Sequence, residues 1–152
     1  MKERYKLSTK ELNIKKYGCF YASDFHLEMI LLPYIKNRLE KSNFLIFTED
    51  NLLSSIKILL DRTNLNENVK NEVLNIKYWN GDKDYSLLNI NFERCEIIVN
   101  GNEKFINEIN NKIKRINCNS INIINCYDIN KYKGNLQEIA CQYDGILNTK
   151  QL

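Results

Sequence analysis

Glycine-rich phosphate loops are missing from this sequence. Neither G-x-x-x-x-G-K-[ST] nor G-x-G-x-x-G occurs, and Gly101 and Gly134 stand alone. Without such loops no run of backbone amides can cradle the phosphates of a nucleotide. A nucleoside triphosphate site, ATP hydrolysis and a dinucleotide site are therefore not expected. Histidine is equally scarce: His26 is the only one, and no triad partner is readable around it. The five cysteines, Cys19, Cys95, Cys118, Cys126 and Cys141, are odd in number and form no C-x-x-C pair. They read as small buried hydrophobes. The rival reading, a metal or redox site from Cys118, Cys126, Cys141 and His26, has no ligand spacing behind it. No metal ion and no cofactor are expected.

No apolar run reaches the length of about 18 residues that a membrane span needs. The opening Met1-Lys2-Glu3-Arg4-Tyr5-Lys6 is charged and lacks the apolar core of a signal peptide. A cytoplasmic location is expected. A formal net charge of +3, from 22 basic and 19 acidic side chains, is too weak and too evenly spread to argue for nucleic acid. What is present is a globular balance, 43% hydrophobic and 27% charged, in 152 residues that suit one domain. The abundance of Asn, Lys and Ile reads as the codon bias of an AT-rich genome.

Residues 1–16 are a polar lead-in with scattered Leu7, Leu12 and Ile14, and residues 17–152 read as a single α/β domain. Tyr17-Gly18-Cys19-Phe20-Tyr21-Ala22 is an apolar strand, and Ser23 or Asp24 caps the helix after it. Leu27, Ile30, Leu31, Tyr34 and Ile35 recur at helical spacing; Pro33, the single proline, predicts a kink near Met29 to Leu32. The same strand-then-helix grammar returns, predicting strands near 17–22, 44–48, 75–79, 95–99 and 120–126. Residues 83–93 fit either a short helix or an extended piece, and Ile146-Leu147 a final short strand or tail. Strands that are apolar without alternation and separated by helices point to a three-layer α/β fold. Its sheet is mostly parallel and five-stranded, with helices on both faces.

In such a sheet ligands gather at the carboxyl ends of the strands. The first strand delivers Tyr21, Ser23, Asp24 and His26 there; the second Thr48, Glu49 and Asp50. The third delivers Trp79, Asn80 and Asp82, the fourth Asn100 and Asn102, the fifth Tyr127 and Asp128. That edge is polar and partly aromatic, as a small-molecule site requires. Caps and turns are polar in every α/β protein, which is the competing explanation. The expected ligand-binding set is Tyr21, Ser23, Asp24, His26, Thr48, Glu49, Trp79, Asn100, Tyr127 and Asp128.

Tyr17-Gly18-Cys19-Phe20-Tyr21 before a helix, then Phe44-Leu45-Ile46-Phe47-Thr48-Glu49, is similar to the start of the MEDS domain. That is a sensory module named from methanogens and methylotrophs. Ile124-Asn125-Cys126-Tyr127-Asp128, followed by Ile139-Ala140-Cys141-Gln142-Tyr143-Asp144-Gly145-Ile146-Leu147, is similar to that family's end. The resemblance covers roughly residues 17–148, through short motifs. It implies a degenerate RecA-like fold without phosphate motifs and a role in sensing small molecules. The family's histidine stands just before the aromatic of the first strand, where this chain has Gly18-Cys19, and the segment between strands three and four is short here.

Two functions are in view. One is a non-catalytic sensing or regulatory signalling module that takes a small-molecule ligand and acts through a separate signalling protein or a homodimer. No output domain is expected within the chain. The other is a small acid-base enzyme using His26 with Asp24, Glu49 or Asp128. Neither involves nucleic acid or a membrane.

Overall fold

The structure, a computed structural model, describes residues 13–86 and 91–149. Most of the polar lead-in lies outside the described residues, as do Leu87, Leu88 and Ile90 of the segment between strands. Five strands form one sheet: β1 Ile14–Tyr21, β2 Asn43–Thr48, β3 Phe92–Asn100, β4 Cys118–Asp128 and β5 Gly145–Leu147. Their order is β2-β3-β4-β1-β5, and every neighbouring pair is parallel. The three central strands carry unbroken buried runs such as Ile97-Ile98-Val99 and Ile123-Ile124, because both sheet faces are covered.

Helices α1 Asp24–Arg38, α2 Leu53–Asp61 and α3 Glu67–Asn75 pack on one face. There Leu27, Ile30, Ile35, Ile56, Leu60 and Val73 meet Cys19, Ile46, Ile98 and Ile124. Helices α4 Glu103–Ile113 and α5 Leu136–Ala140 cover the other face. Phe105, Ile106, Ile109 and Ile113 there meet Leu45, Ile97, Val99 and Ile123. The expected three-layer α/β architecture is present. Helix α1 runs unbroken through Pro33 to Arg38.

The strand expected at Ile76–Trp79 is not one. Helix α3 extends to Asn75, Ile76 caps it, and Tyr78 takes a φ of 77° that no strand residue adopts. A run of β-branched and aromatic residues that short fits a buried turn as well as a strand. Here the Trp79 indole N–H donates to the Val73 carbonyl at 2.9 Å, and the Trp79 carbonyl accepts from the Leu52 amide at 2.8 Å. The chain is thereby returned to the carboxyl edge, where a Cβ on Gly81 (φ 89°) would lie 3.2 Å from the Thr48 carbonyl oxygen. Tyr85 then packs on the α4 face, beside Phe47 at 5.8 Å between ring centroids. The steps β2 to β3 and β3 to β4 both move one place in the same direction, so a common handedness requires the same face; Tyr85 meets that requirement. The fifth strand is instead the short tail Gly145–Leu147, paired to β1.

Between α1 and α2 the apolar layer holds one carboxyl group. Glu28 is fully buried, its Oε2 accepts from Ser55 Oγ, and its Oε1 has no partner among the described residues. Burial pushes its pKa up to about 7, with Asp24 adding to the rise and the Ser55 hydroxyl opposing it. Because the folded value exceeds the unfolded one, the retained proton stabilises the fold at low pH. That stability is complete below about 4.5 and is lost as pH climbs to about 7. Glu28→Gln is expected to flatten this limb of the stability–pH curve and to add about 1–3 kcal/mol near neutral to alkaline pH. Urea unfolding across a pH series checks it, and an unchanged slope rules the assignment out.

Candidate functional site

The carboxyl edge is built on a buried polar chain. Tyr21, the last residue of β1, reaches past the end of β4 and donates its hydroxyl to Asn100 Oδ1 at 2.6 Å. Asn100 Nδ2 donates to Thr48 Oγ1 at 2.9 Å, and the Thr48 hydroxyl donates to the Asp50 carbonyl at 2.9 Å. All three side chains are buried, so each unpaired group would carry the full cost of lost hydration. Burial pushes the Tyr21 phenol far up, helped by the nearby Cys126, Asp128, Asp50 and Asp24. It is a structural donor.

Above this floor lies a cleft of about 500 Å³. Residues at or just beyond the ends of β1 to β4 line it, among them Tyr21, Glu49, Asp50, Asn102, Tyr127 and Asp128. Its outer wall is the segment after β4, with Lys131, Tyr132 and Lys133. The position follows from topology. The chain leaves β1 toward the α1 layer and leaves β4 toward the α5 layer, so the loops diverge between neighbouring strands and open a crevice.

Glu49 is committed to structure. Its Oε1 accepts from the Asn102 amide at 2.6 Å, and Asn102 Oδ1 accepts from Phe105 N at 2.8 Å, so α4 starts with two of its free amides satisfied. Gly101 permits this: a Cβ there would lie 2.5 Å from Glu49 Oε1 and 2.6 Å from Phe105 Cδ2. The aromatic wall centres on Tyr127, stacked on Phe20 at 5.4 Å and met edge-on by Tyr132 at 5.5 Å. The Tyr127 and Tyr143 hydroxyls are hydrogen-bonded to each other, and Asn125 Nδ2 donates to Tyr143 at 3.1 Å. Burial and the Tyr143 hydroxyl push the Tyr127 phenol up, so it offers the cleft a ring face and no base.

The mouth carries the charge. Asp24, on the first turn of α1, has its pKa raised by burial and then by Asp50, with Lys131 opposing and Asp128 adding to the rise. Asp24 thus feels two carboxylates, Asp50 and Asp128, and one ammonium, that of Lys131. No group of three or more His, Cys, Asp or Glu residues able to hold a metal ion occurs among the described residues. Cys19, Cys95, Cys118 and Cys126 are buried, and only Cys141 is exposed.

Of the expected set, Tyr21, Glu49, Tyr127 and Asp128 line the cleft, and Thr48 and Asn100 lie in its buried footing. Asp24 approaches the mouth only through its field. Ser23 caps α1, accepting from the His26 amide at 3.1 Å. His26 is half-buried; its Nδ1 accepts from the Ala22 amide at 3.0 Å, and it does not line the cleft. Trp79 is 1% exposed and lies in the α1 layer, away from the cleft. Lys104, Lys131, Tyr132 and Lys133 were not foreseen. The run Asn130-Lys131-Tyr132-Lys133-Gly134, an aromatic among lysines just after a strand end, was the signal available.

No protein-family model, curated protein or solved structure matches this chain.

The footing can be tested by coupling. Asn100→Ala leaves the Tyr21 hydroxyl buried without an acceptor and is expected to cost about 2–3 kcal/mol, whereas Tyr21→Phe is expected to cost about 1 kcal/mol. In the double variant the costs are expected to be less than additive, by about 0.5 kcal/mol or more in a denaturation cycle. Strict additivity means that the two side chains do not act together.

Proposed function

We propose that this chain is a non-catalytic small-molecule-sensing module. Its ligand sits in the carboxyl-edge cleft, and its output passes through a separate partner protein or a second copy. The cleft at the diverging strand ends carries the reading. The Tyr21 and Tyr127 hydroxyls are bonded internally, so these two tyrosines offer the cleft ring face, with charged groups at the rim. Such a wall suits a small organic molecule with a flat, apolar body. Asp50 and Asp128 on the cleft's lining favour a positive group on that body, and Lys104, Lys131 and Lys133 favour a negative one elsewhere on it. An amine-bearing or zwitterionic metabolite meets both demands.

A path from cleft to surface supports a sensing role over simple binding. Asn130 Nδ2 donates to the Ala22 carbonyl at 2.9 Å, and the Ile129 amide donates to the Tyr21 carbonyl at 2.9 Å. The cleft's outer wall is therefore tied to the start of α1, where Phe25 and Met29 are exposed one helical turn apart. The resemblance of the chain's two ends to the MEDS module points the same way.

The expected outcome is a thermal-shift response to amine-bearing aromatic or heteroaromatic metabolites. Asp128→Asn is expected to weaken the best of them about tenfold or more, with His26→Ala leaving its affinity within about twofold. Hydrogen exchange is expected to slow in residues 129–134 and at the start of α1 on binding. Full affinity in Asp128→Asn, or protection confined to the cleft, counts against the proposal.

A further inference from the structure

The opposite end of the sheet carries a second cleft. Ile98 of β3 and Ile124 of β4 face the α1 layer, so Arg94, Glu96, Ser120 and Asn122, at even steps from them, face the same way. They lie at the amino edge, under the end of α1. With Arg38, Lys41 and Ser42 they line a cavity of about 450 Å³.

Three cations meet one carboxylate there. That carboxylate, Glu96, is 4% exposed and already satisfied: the Tyr34 hydroxyl donates to its Oε2 at 2.5 Å and Asn122 Nδ2 to its Oε1 at 2.9 Å. Arg38 sets Cζ over the Tyr34 ring, 3.8 Å from its centroid, donates Nη1 to the Tyr34 carbonyl at 3.3 Å, and sets Nε 3.8 Å from Glu96 Oε1. Its guanidinium is thus fixed in orientation with donors to spare. Lys41 and Arg94 have no ion-pair partner among the described residues.

We propose that this amino-edge cleft binds a phosphate-type oxyanion carried by a small molecule. A fixed guanidinium presents its donors to two oxygens at once, lysine adds a point charge, and hydroxyls and amides supply further donors. The volume admits a phosphorylated metabolite with room for its body. Compensation of the α1 carbonyl end explains Arg38 and Lys41 alone. Arg94 stands on a strand and serves no helix end, so its convergence on the same space calls for an anion. This site is separate from the carboxyl-edge cleft, and neither reading rests on the other.

The test is calorimetric titration of the full chain at low salt with inorganic phosphate, then with a sugar phosphate and its parent sugar. Saturable one-to-one binding of both phosphates and none of the sugar is expected. Arg94→Ala, at an exposed position that leaves the fold in place, is expected to weaken phosphate about tenfold or more. Glu96→Gln removes the opposing charge, keeps a carbonyl oxygen for Asn122 while the Tyr34 hydroxyl turns to accept from the new amide, and is expected to tighten it severalfold. Non-saturable heats, or equal affinity in Arg94→Ala, overturn the proposal. So does a preference for an acidic peptide over phosphate, or an Asp128→Asn variant that loses phosphate as well.

Discussion

Asn100 is the joint on which the carboxyl edge depends. A parallel sheet fixes its strands to one another by backbone pairing, but pairing stops at the last residue of each strand. Beyond that point side chains must hold the ends in register. Asn100 joins β3 to β2 through Thr48, and to β1 through a tyrosine that bridges over β4. Its own carbonyl accepts the Glu49 amide, which aligns the turn out of β2. From that turn Glu49 caps α4, and α4 closes the second face of the sheet. One fully buried amide thus sets both the floor of the cleft and the start of the helix beside it.

The α1 layer repeats this device at its other end. Tyr34 on α1 donates to Glu96 on β3, as Tyr21 on β1 donates to Asn100 on the same strand. The apolar contact between α1 and the sheet is bounded at both edges by a tyrosine meeting a buried polar group. Satisfied polar pairs of this sort add little net stability but penalise any slip in register, because a one-residue shift would leave each of them unpaired. On the second face the buried Asn125 exchanges amide hydrogen bonds with Asn110 of α4 and donates to Tyr143, while the aromatic wall beside it is held by ring contacts and a shared phenol hydrogen bond.

Four of the five strands were legible because their apolar residues run without alternation, a pattern that little else in a chain this short produces. Ile76–Trp79 carries the same composition, yet it is a turn; what decides it is the φ of Tyr78 and the indole bond to Val73, neither of which leaves a periodic trace. The three-residue β5 is too brief for periodicity to detect as more than a tail. The edge that forms the cleft followed from parallel topology alone, which is why Tyr21, Tyr127 and Asp128 could be named. Which side chains there turn inward to brace the strands, as Thr48 and Asn100 do, and which turn outward, is decided by packing against helices. The lysines and tyrosine after β4 belong to a loop whose path has no sequence period.

The chain's single indole is sealed in the α1 layer, pinned by its own N–H and set on a left-handed turn. As an emitter it is therefore a gauge of one layer only. Its spectrum follows the docking of α2 and α3 on the sheet, while events in either edge cleft reach it solely by shifting that layer. Collisional quenchers in solvent meet tyrosines first, and a change in tryptophan emission on adding any small molecule is a report of movement in the fold rather than of contact with the ring.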